Sequence, residues 1–128
     1  MSDDYQATST EFAERAVIGA ALLDPSAIRW AAQHVTEDDF SNATLGAVWG
    51  VLHRRWKGGE PVDIVSMDGA LRGEVPGYQT GGVFTLSEAA PVGDATDYWA
   101  AMIAEGAKRR RAIQAGTRLV QNAREGDL

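Results

Sequence analysis

Apolar positions along the chain recur at helical spacing, and no stretch alternates with period two over the length of a strand. From Thr10 to Leu23 the residues Phe12, Ala16, Ala20 and Leu23 form one stripe, widened by Val17, Ile18 and Leu22, with Ser9 or Thr10 placed to cap the helix. Asp24-Pro25 stops it, and Ser26 starts a short helix to His34 that presents Ile28, Trp30 and Ala31. Val35 to Ser41 reads as an acidic loop anchored by Phe40. The clearest pattern runs from Asn42 to Lys57, where Leu45, Val48, Trp49, Leu52 and Trp56 share one face before Gly58-Gly59 ends the helix. Asp63 is positioned to cap a further helix through Ile64, Met67, Ala70 and Leu71.

Gly73 to Gly82 is rich in glycine and reads as a mobile surface connection. Val83 to Ala90 would suit a strand or a helix, and helix is preferred because a lone strand has no pairing partner. From Asp94, a natural N-cap, helical pattern continues to Arg124, a rod of about 45 Å. Along it Trp99, Ile103, Gly106, Arg110, Ile113, Thr117 and Val120 fall at alternating four- and three-residue steps, the spacing of a coiled-coil seam with defects. The expected fold is therefore all-α: a tail over 1–9, a compact multi-helix head over 10–92 and a long helix over 94–124. A head this small cannot cover so long a rod, whose seam therefore needs a partner.

Composition narrows the function more than the fold. A chain of 128 residues makes one domain with a full core. The absence of cysteine removes thiolate metal sites and thiol nucleophiles. No apolar run approaches the roughly 20 residues that span a bilayer, and the polar, acidic start lacks the pattern of a secretion signal, so a cytoplasmic location is expected. A net charge of −6 opposes general nucleic-acid binding. Residues 1–40 carry eight acids against Arg15 and Arg29, whereas residues 105–128 carry six bases against three acids, so the two ends face different partners.

Catalytic patterns are missing. No glycine-rich turn is followed by Lys and Ser or Thr, as a phosphate-binding loop requires, because Lys57 precedes Gly58-Gly59. His34 and His53 lie on different helices without metal-ligand spacing, and Glu37, Asp38 and Asp39 lack the spaced ligands of a calcium loop. Neither lysine has a serine three residues before it. The dense basic run Lys108 to Arg111 could meet nucleic acid or an acidic partner, but four consecutive helical residues spread over about 400° and form no single patch. Catalytic, cofactor and metal residues are accordingly expected to be none.

Several strings, in order, resemble the N-terminal domain of DnaB-type bacterial replicative DNA helicases. E-R-A-V-I-G-A-A-L-L-D-P at Glu14–Pro25 is the most specific, followed by E-D-D-F at Glu37–Phe40 and G-G-E-P-V-D-I-V at Gly58–Val65. Gly81-Gly82, Y-W-A-A-M-I at Tyr98–Ile103 and R-R-A-I-Q-A-G at Arg110–Gly116 complete the set. The positions expected to specify the fold are Ala16, Val17, Gly19, Leu22, Leu23, Asp24, Phe40, Pro61, Asp63 and Tyr98, with Gly19, Ala20 and Ala21 giving a flat helix side.

The resemblance implies a helical head followed by a hairpin of two long helices, with 94–124 as the first arm. It implies self-association as a homodimer within a hexameric ring, through Trp99, Ile103, Arg110, Ile113, Thr117 and Val120. It further implies docking of primase and of a helicase loader, with ATP and magnesium belonging to a motor domain beyond Leu128, as in a truncated or stand-alone fragment. Three departures stand out. Phe40–Leu45 reads F-S-N-A-T-L where the family carries F-Y-x-P-x-H, the stretch from Leu86 to Pro91 is about three residues short, and Gly106 interrupts a helix. Two other readings remain at this point: the helicase-binding domain of a primase or a loader-like mimic, and a small helical DNA-binding regulator using Lys108–Arg111.

Overall fold

The computed structural model describes residues 2–91 and 95–126, with side chains from Thr10 onward. Among them lie six α-helices and no strand: α1 (Ser2–Leu23), α2 (Ser26–Ala31), α3 (Ala43–Lys57), α4 (Ile64–Glu74), α5 (Gly82–Glu88) and α6 (Thr96–Glu125), with a 3-10 turn at Glu37–Asp39 between α2 and α3. The helix expected to begin at Ser9 or Thr10 instead extends through the segment read as a tail, so neither residue is its cap. Asp94, the expected cap of the long helix, lies outside the described residues, and α6 follows Ala95.

The first helix is the centre of the head rather than one wall of it, packing against α2, α3, α5 and α6. Ala13, Ala16, Val17, Ile18, Ala21 and Leu22 are buried around most of its circumference, while Phe12 and Leu23, at the ends of the expected stripe, are exposed. A single-stripe reading fails because a helix surrounded on several sides has no single buried face. The central position also explains Gly19: a Cβ there would lie 2.3 Å from the Leu86 carbonyl oxygen and 2.8 Å from the Ala90 nitrogen, so α5 closes directly on the α1 backbone.

Glu14 is fully buried within α1. Its Oε2 accepts from the Ser41 backbone N–H at 2.8 Å and the Ser41 hydroxyl at 2.6 Å, and its Oε1 accepts from the Asn42 N–H at 3.1 Å. Asn42 in turn caps α3, its Oδ1 accepting from Leu45 N–H at 3.0 Å, and its Nδ2 donates to Glu11. A buried carboxylate thus sits at the start of α3, where backbone donors and the helix dipole offset its charge. Ser41, one of the residues that depart from the family string, and its neighbour Asn42 supply these bonds.

The rest of the head follows from caps and glycine stops. Asp63 accepts from Ser66 N–H at 3.0 Å and starts α4, and Gly59 adopts a φ of 73° beyond the end of α3. The glycine-rich connection is anchored rather than loose: α4 runs on to Glu74, Val75 is buried, and the Asp68 carboxylate accepts from the Tyr78 hydroxyl at 2.6 Å and from Gly81 N–H at 2.8 Å. The Tyr78 hydroxyl also accepts from Val83 N–H at the start of α5. Burial, and then the bond to Asp68, pushes the Tyr78 phenol up to about 12. Trp49, Ile18, Ile28, Leu52, Met67, Leu71 and Ile103 form the fully buried centre.

Candidate interaction surfaces

The long helix is divided in two by what it touches. Its first half closes the head: Ala100, Ile103 and Ala107 are fully buried, and the Trp99 ring meets Phe12 edge-on at 5.6 Å. At the exit from the head, Arg111 Nη2 pairs with Asp39 Oδ1 at 2.7 Å. Arg110 reaches the carbonyl oxygens of Asp38 and Asp39 at 3.4 Å. Of the residues expected to mediate self-association, Trp99, Ile103 and Arg110 are therefore engaged within their own chain. Three- and four-residue spacing shows that a face is covered, and it does not say which chain covers it.

The second half, from Ala112 to Gly126, is exposed at every position except the partly buried Asn122. It carries Ile113 at 64 %, Leu119 at 60 % and Val120 at 52 % exposure. Ile113, Gly116, Thr117, Val120, Gln121 and Arg124 line one continuous shallow surface. Their i, i+3, i+4, i+7, i+8, i+11 spacing puts them on a single face. An added Cβ at Gly116 would meet nothing within 4 Å, so another backbone can approach the helix there. The remaining expected residues, Ile113, Thr117 and Val120, thus share one free arm.

A second apolar surface lies at the opposite end of α6, a groove of about 410 Å³ walled by Ala20, Leu23, Ala27, Trp30 and Pro91 with Asp24 and Asp97 among its polar residues. Leu23 faces this groove instead of specifying the fold, and Tyr98 is also exposed, at 63 %, its ring set edge-on against Trp99 at 5.2 Å. Both lie on helices whose neighbouring positions already fill the core. The other family positions hold the structure: Ala16, Val17, Gly19, Leu22 and Phe40 are buried. Asp24 Oδ1 accepts from the N–H and hydroxyl of Ser26 to start α2, and the Pro61 carbonyl accepts from Arg55 Nε at 3.0 Å.

The two histidines differ more than their sequence contexts suggest. His34 is exposed, with Nε2 4.0 Å from Asp97 Oδ1. His53 is stacked between Trp49, at 5.9 Å, and Trp56, at 6.1 Å, and Phe40 extends the stack beyond Trp49. Partial burial, with the nearby Lys57 charge, holds the His53 imidazole below its usual range. The i, i+4, i+7 spacing of Trp49, His53 and Trp56 carried this signal in the sequence. Among the described residues no group of three or more His, Cys, Asp or Glu is arranged to hold a metal ion, and no helix is long and apolar enough to cross a membrane. The acids of the 3-10 turn serve local structure, with Asp39 Oδ2 accepting from Thr36 N–H at 2.9 Å and Asp39 Oδ1 held by Arg111.

Residues 6–105 match the family described as the DnaB-like helicase N terminal domain. The chain is 34 % identical over 113 residues to the replicative DNA helicase DnaB of Geobacillus stearothermophilus, which covers 86 % of this chain and 25 % of that helicase. It is 30 % identical to the replicative DNA helicase DnaC of Bacillus subtilis, again over 86 % of this chain and 25 % of the relative. The chain thus spans about a quarter of the length of these curated relatives. Among solved structures, the N-terminal domain of DnaB helicase from Mycobacterium tuberculosis superposes with a TM-score of 0.83 at 30 % identity, covering 90 % of this chain and 84 % of that one. The corresponding Helicobacter pylori domain gives 0.81 at 15 % identity over 97 % and 99 % of the two chains, a likeness of fold alone.

Proposed function

The chain belongs to the DnaB-like helicase N-terminal domain family, and from that membership we propose that it is a non-catalytic assembly and docking module of a cytoplasmic replicative DNA helicase. The observation that carries this reading is the free arm from Ala112 to Gly126, which leaves Ile113 and Val120 in water on one face. An isolated helix of this length is marginal in water, and packing against a partner stabilises it. Pairing of two arms supports assembly of larger rings, with ATP and magnesium used elsewhere in the helicase. A DNA-binding reading through Lys108–Arg111 is weakened because Arg110 and Arg111 are turned onto the head's own acidic turn.

Sedimentation equilibrium tests the arm. The parent chain is expected to approach twice the monomer mass as concentration rises, and the Ile113→Glu/Val120→Glu variant to remain monomeric with an unchanged thermal midpoint, since both residues are exposed. Equal association by parent and variant would remove the arm from the account.

Docking of primase is the second part of the proposal. It is supported by the Helicobacter pylori domain, described together with its interactions with primase, whose fold this chain shares. Calorimetric titration with primase from the same cell is expected to give saturable heat. A folded, self-associating chain that gives none would contradict primase docking while leaving assembly intact.

A further inference from the structure

We propose that Arg110, Arg111 and the 3-10 turn Glu37–Asp39 form an ionic latch that fixes the direction in which the arm leaves the head, with Gly106 as the point of bending when the latch opens. Ala107 is the last fully buried residue of α6, so the contacts beyond it decide how the arm is aimed. Those contacts are polar: the Arg111–Asp39 pair at 2.7 Å, the Arg110 bonds to the carbonyls of Asp38 and Asp39, and an Arg111 bond to the Asp38 carbonyl at 3.4 Å. From Ala112 to Gly126 every position of the helix but Asn122 is exposed.

The receiving turn is built to hold still. Asp39 is buried at 8 % exposure, and its second carboxylate oxygen closes a capping box with Thr36. The turn also packs closely on α3, where a Cβ at Gly46 would stand 2.8 Å from the Glu37 carbonyl oxygen. Arg111 remains half-exposed, so its bonds can exchange with water, and a bend at Gly106 then displaces only Ala107 among the fully buried residues of α6.

Gly106 supplies the bending point. It lies within the unbroken α6 just before the latch, and among the described residues a Cβ at this position would meet only Thr10, at 3.5 Å. Glycine weakens a helix interior by about 1 kcal/mol relative to alanine, so bending costs least at this position. A bend of roughly 20° there would move the tip of the helix by about 10 Å, given 1.5 Å per residue over the remaining length. If the arm is the association surface, a reading on which this consequence alone rests, the latch sets the angle between paired heads.

The absence of cysteine allows clean labelling. Spin labels on cysteines introduced at Gly73 and Ala123, both exposed, report head-to-tip distance by pulsed electron resonance in protein diluted with unlabelled chain. With the latch intact one narrow distance is expected. Arg111→Gln is expected to add a population whose distance is shifted by up to about 10 Å, the tip displacement of a roughly 20° bend, without changing helix content. Adding Gly106→Ala, whose methyl makes ordinary contact with Thr10, is expected to restore the single distance. An Arg111→Gln distribution identical to the parent would overturn the latch, and broadening that persists with Gly106→Ala would overturn the bending point. Because dilution with unlabelled chain leaves only the distances within one chain, each outcome is read from a single head and its own arm.

Discussion

Glu14→Ala is expected to destabilise the domain by about 3 kcal/mol, the sum of unsatisfied buried donors and lost packing. The carboxylate is fully buried and accepts three hydrogen bonds from Ser41 and Asn42, at 2.8, 2.6 and 3.1 Å. Alanine leaves two backbone N–H groups and a hydroxyl facing a void at the start of α3. The loss is reduced because a buried charge is also removed, which is why the figure stays below the sum of the bonds in isolation. Glu14→Gln keeps an acceptor but turns its NH₂ toward one donor, so an intermediate loss of about 1–2 kcal/mol is expected. Urea unfolding followed by circular dichroism measures both, and an alanine variant within about 0.5 kcal/mol of the parent, the range of ordinary surface changes, would contradict the role assigned to Glu14.

Gly19→Ala is expected to lose about 2 kcal/mol even though alanine is the better helix former by about 1 kcal/mol. The new methyl would stand 2.3 Å from the Leu86 oxygen and 2.8 Å from the Ala90 nitrogen. Both are backbone atoms, so relief requires α5 to move off α1 rather than a side chain to turn aside. The same substitution at Gly69 provides the contrast. Gly69 is exposed within α4, and its Cβ would meet only the Arg72 guanidinium, at 3.9 Å. There propensity acts alone, and a gain of about 1 kcal/mol is expected. Thermal and urea unfolding of the two variants should differ in sign, and a shared sign would show that α5 does not close on α1 as described.

Elements with one buried face and definite ends were legible in the sequence. Helix α3 runs from its Asn42 cap to its Gly58 stop as the pattern predicts, and Asp63 starts α4. Legibility ended where a helix has several neighbours. In α1 the stripe of Phe12, Ala16, Ala20 and Leu23 captures Ala16 firmly and the residues that widen it, Val17, Ile18 and Leu22, are all buried, while the sequence marks Glu14 only as part of a family string and not as a buried group. Its spacing from Ile18 and Ala21, four and seven residues away, placed it on an apolar face, yet a carboxylate there makes sense only once Ser41 and Asn42 are known to face it. The glycine-rich connection was misread for the same reason, since Asp68 and Tyr78 are ten residues apart and pattern does not show that they meet.

The long helix shows the limit for function. Its seam was visible as a repeat, but the repeat joins two surfaces with different owners: Trp99, Ile103 and Arg110 serve the head, and Ile113, Thr117 and Val120 serve the arm. Lys108–Arg111 likewise read as a run of charge, whereas the fold turns two of the four onto Asp38 and Asp39.

Cysteine trapping at Thr117 tests the association surface most directly. Thr117 lies at the middle of the exposed arm face, and the chain has no cysteine of its own. Thr117→Cys is expected to form a disulfide-linked dimer rapidly under mild oxidation, and to do so far faster than a cysteine placed at exposed Gly73 in the head. Trapping at Thr117 no faster than at Gly73, in protein that remains folded, would contradict the arm as the surface through which two copies meet.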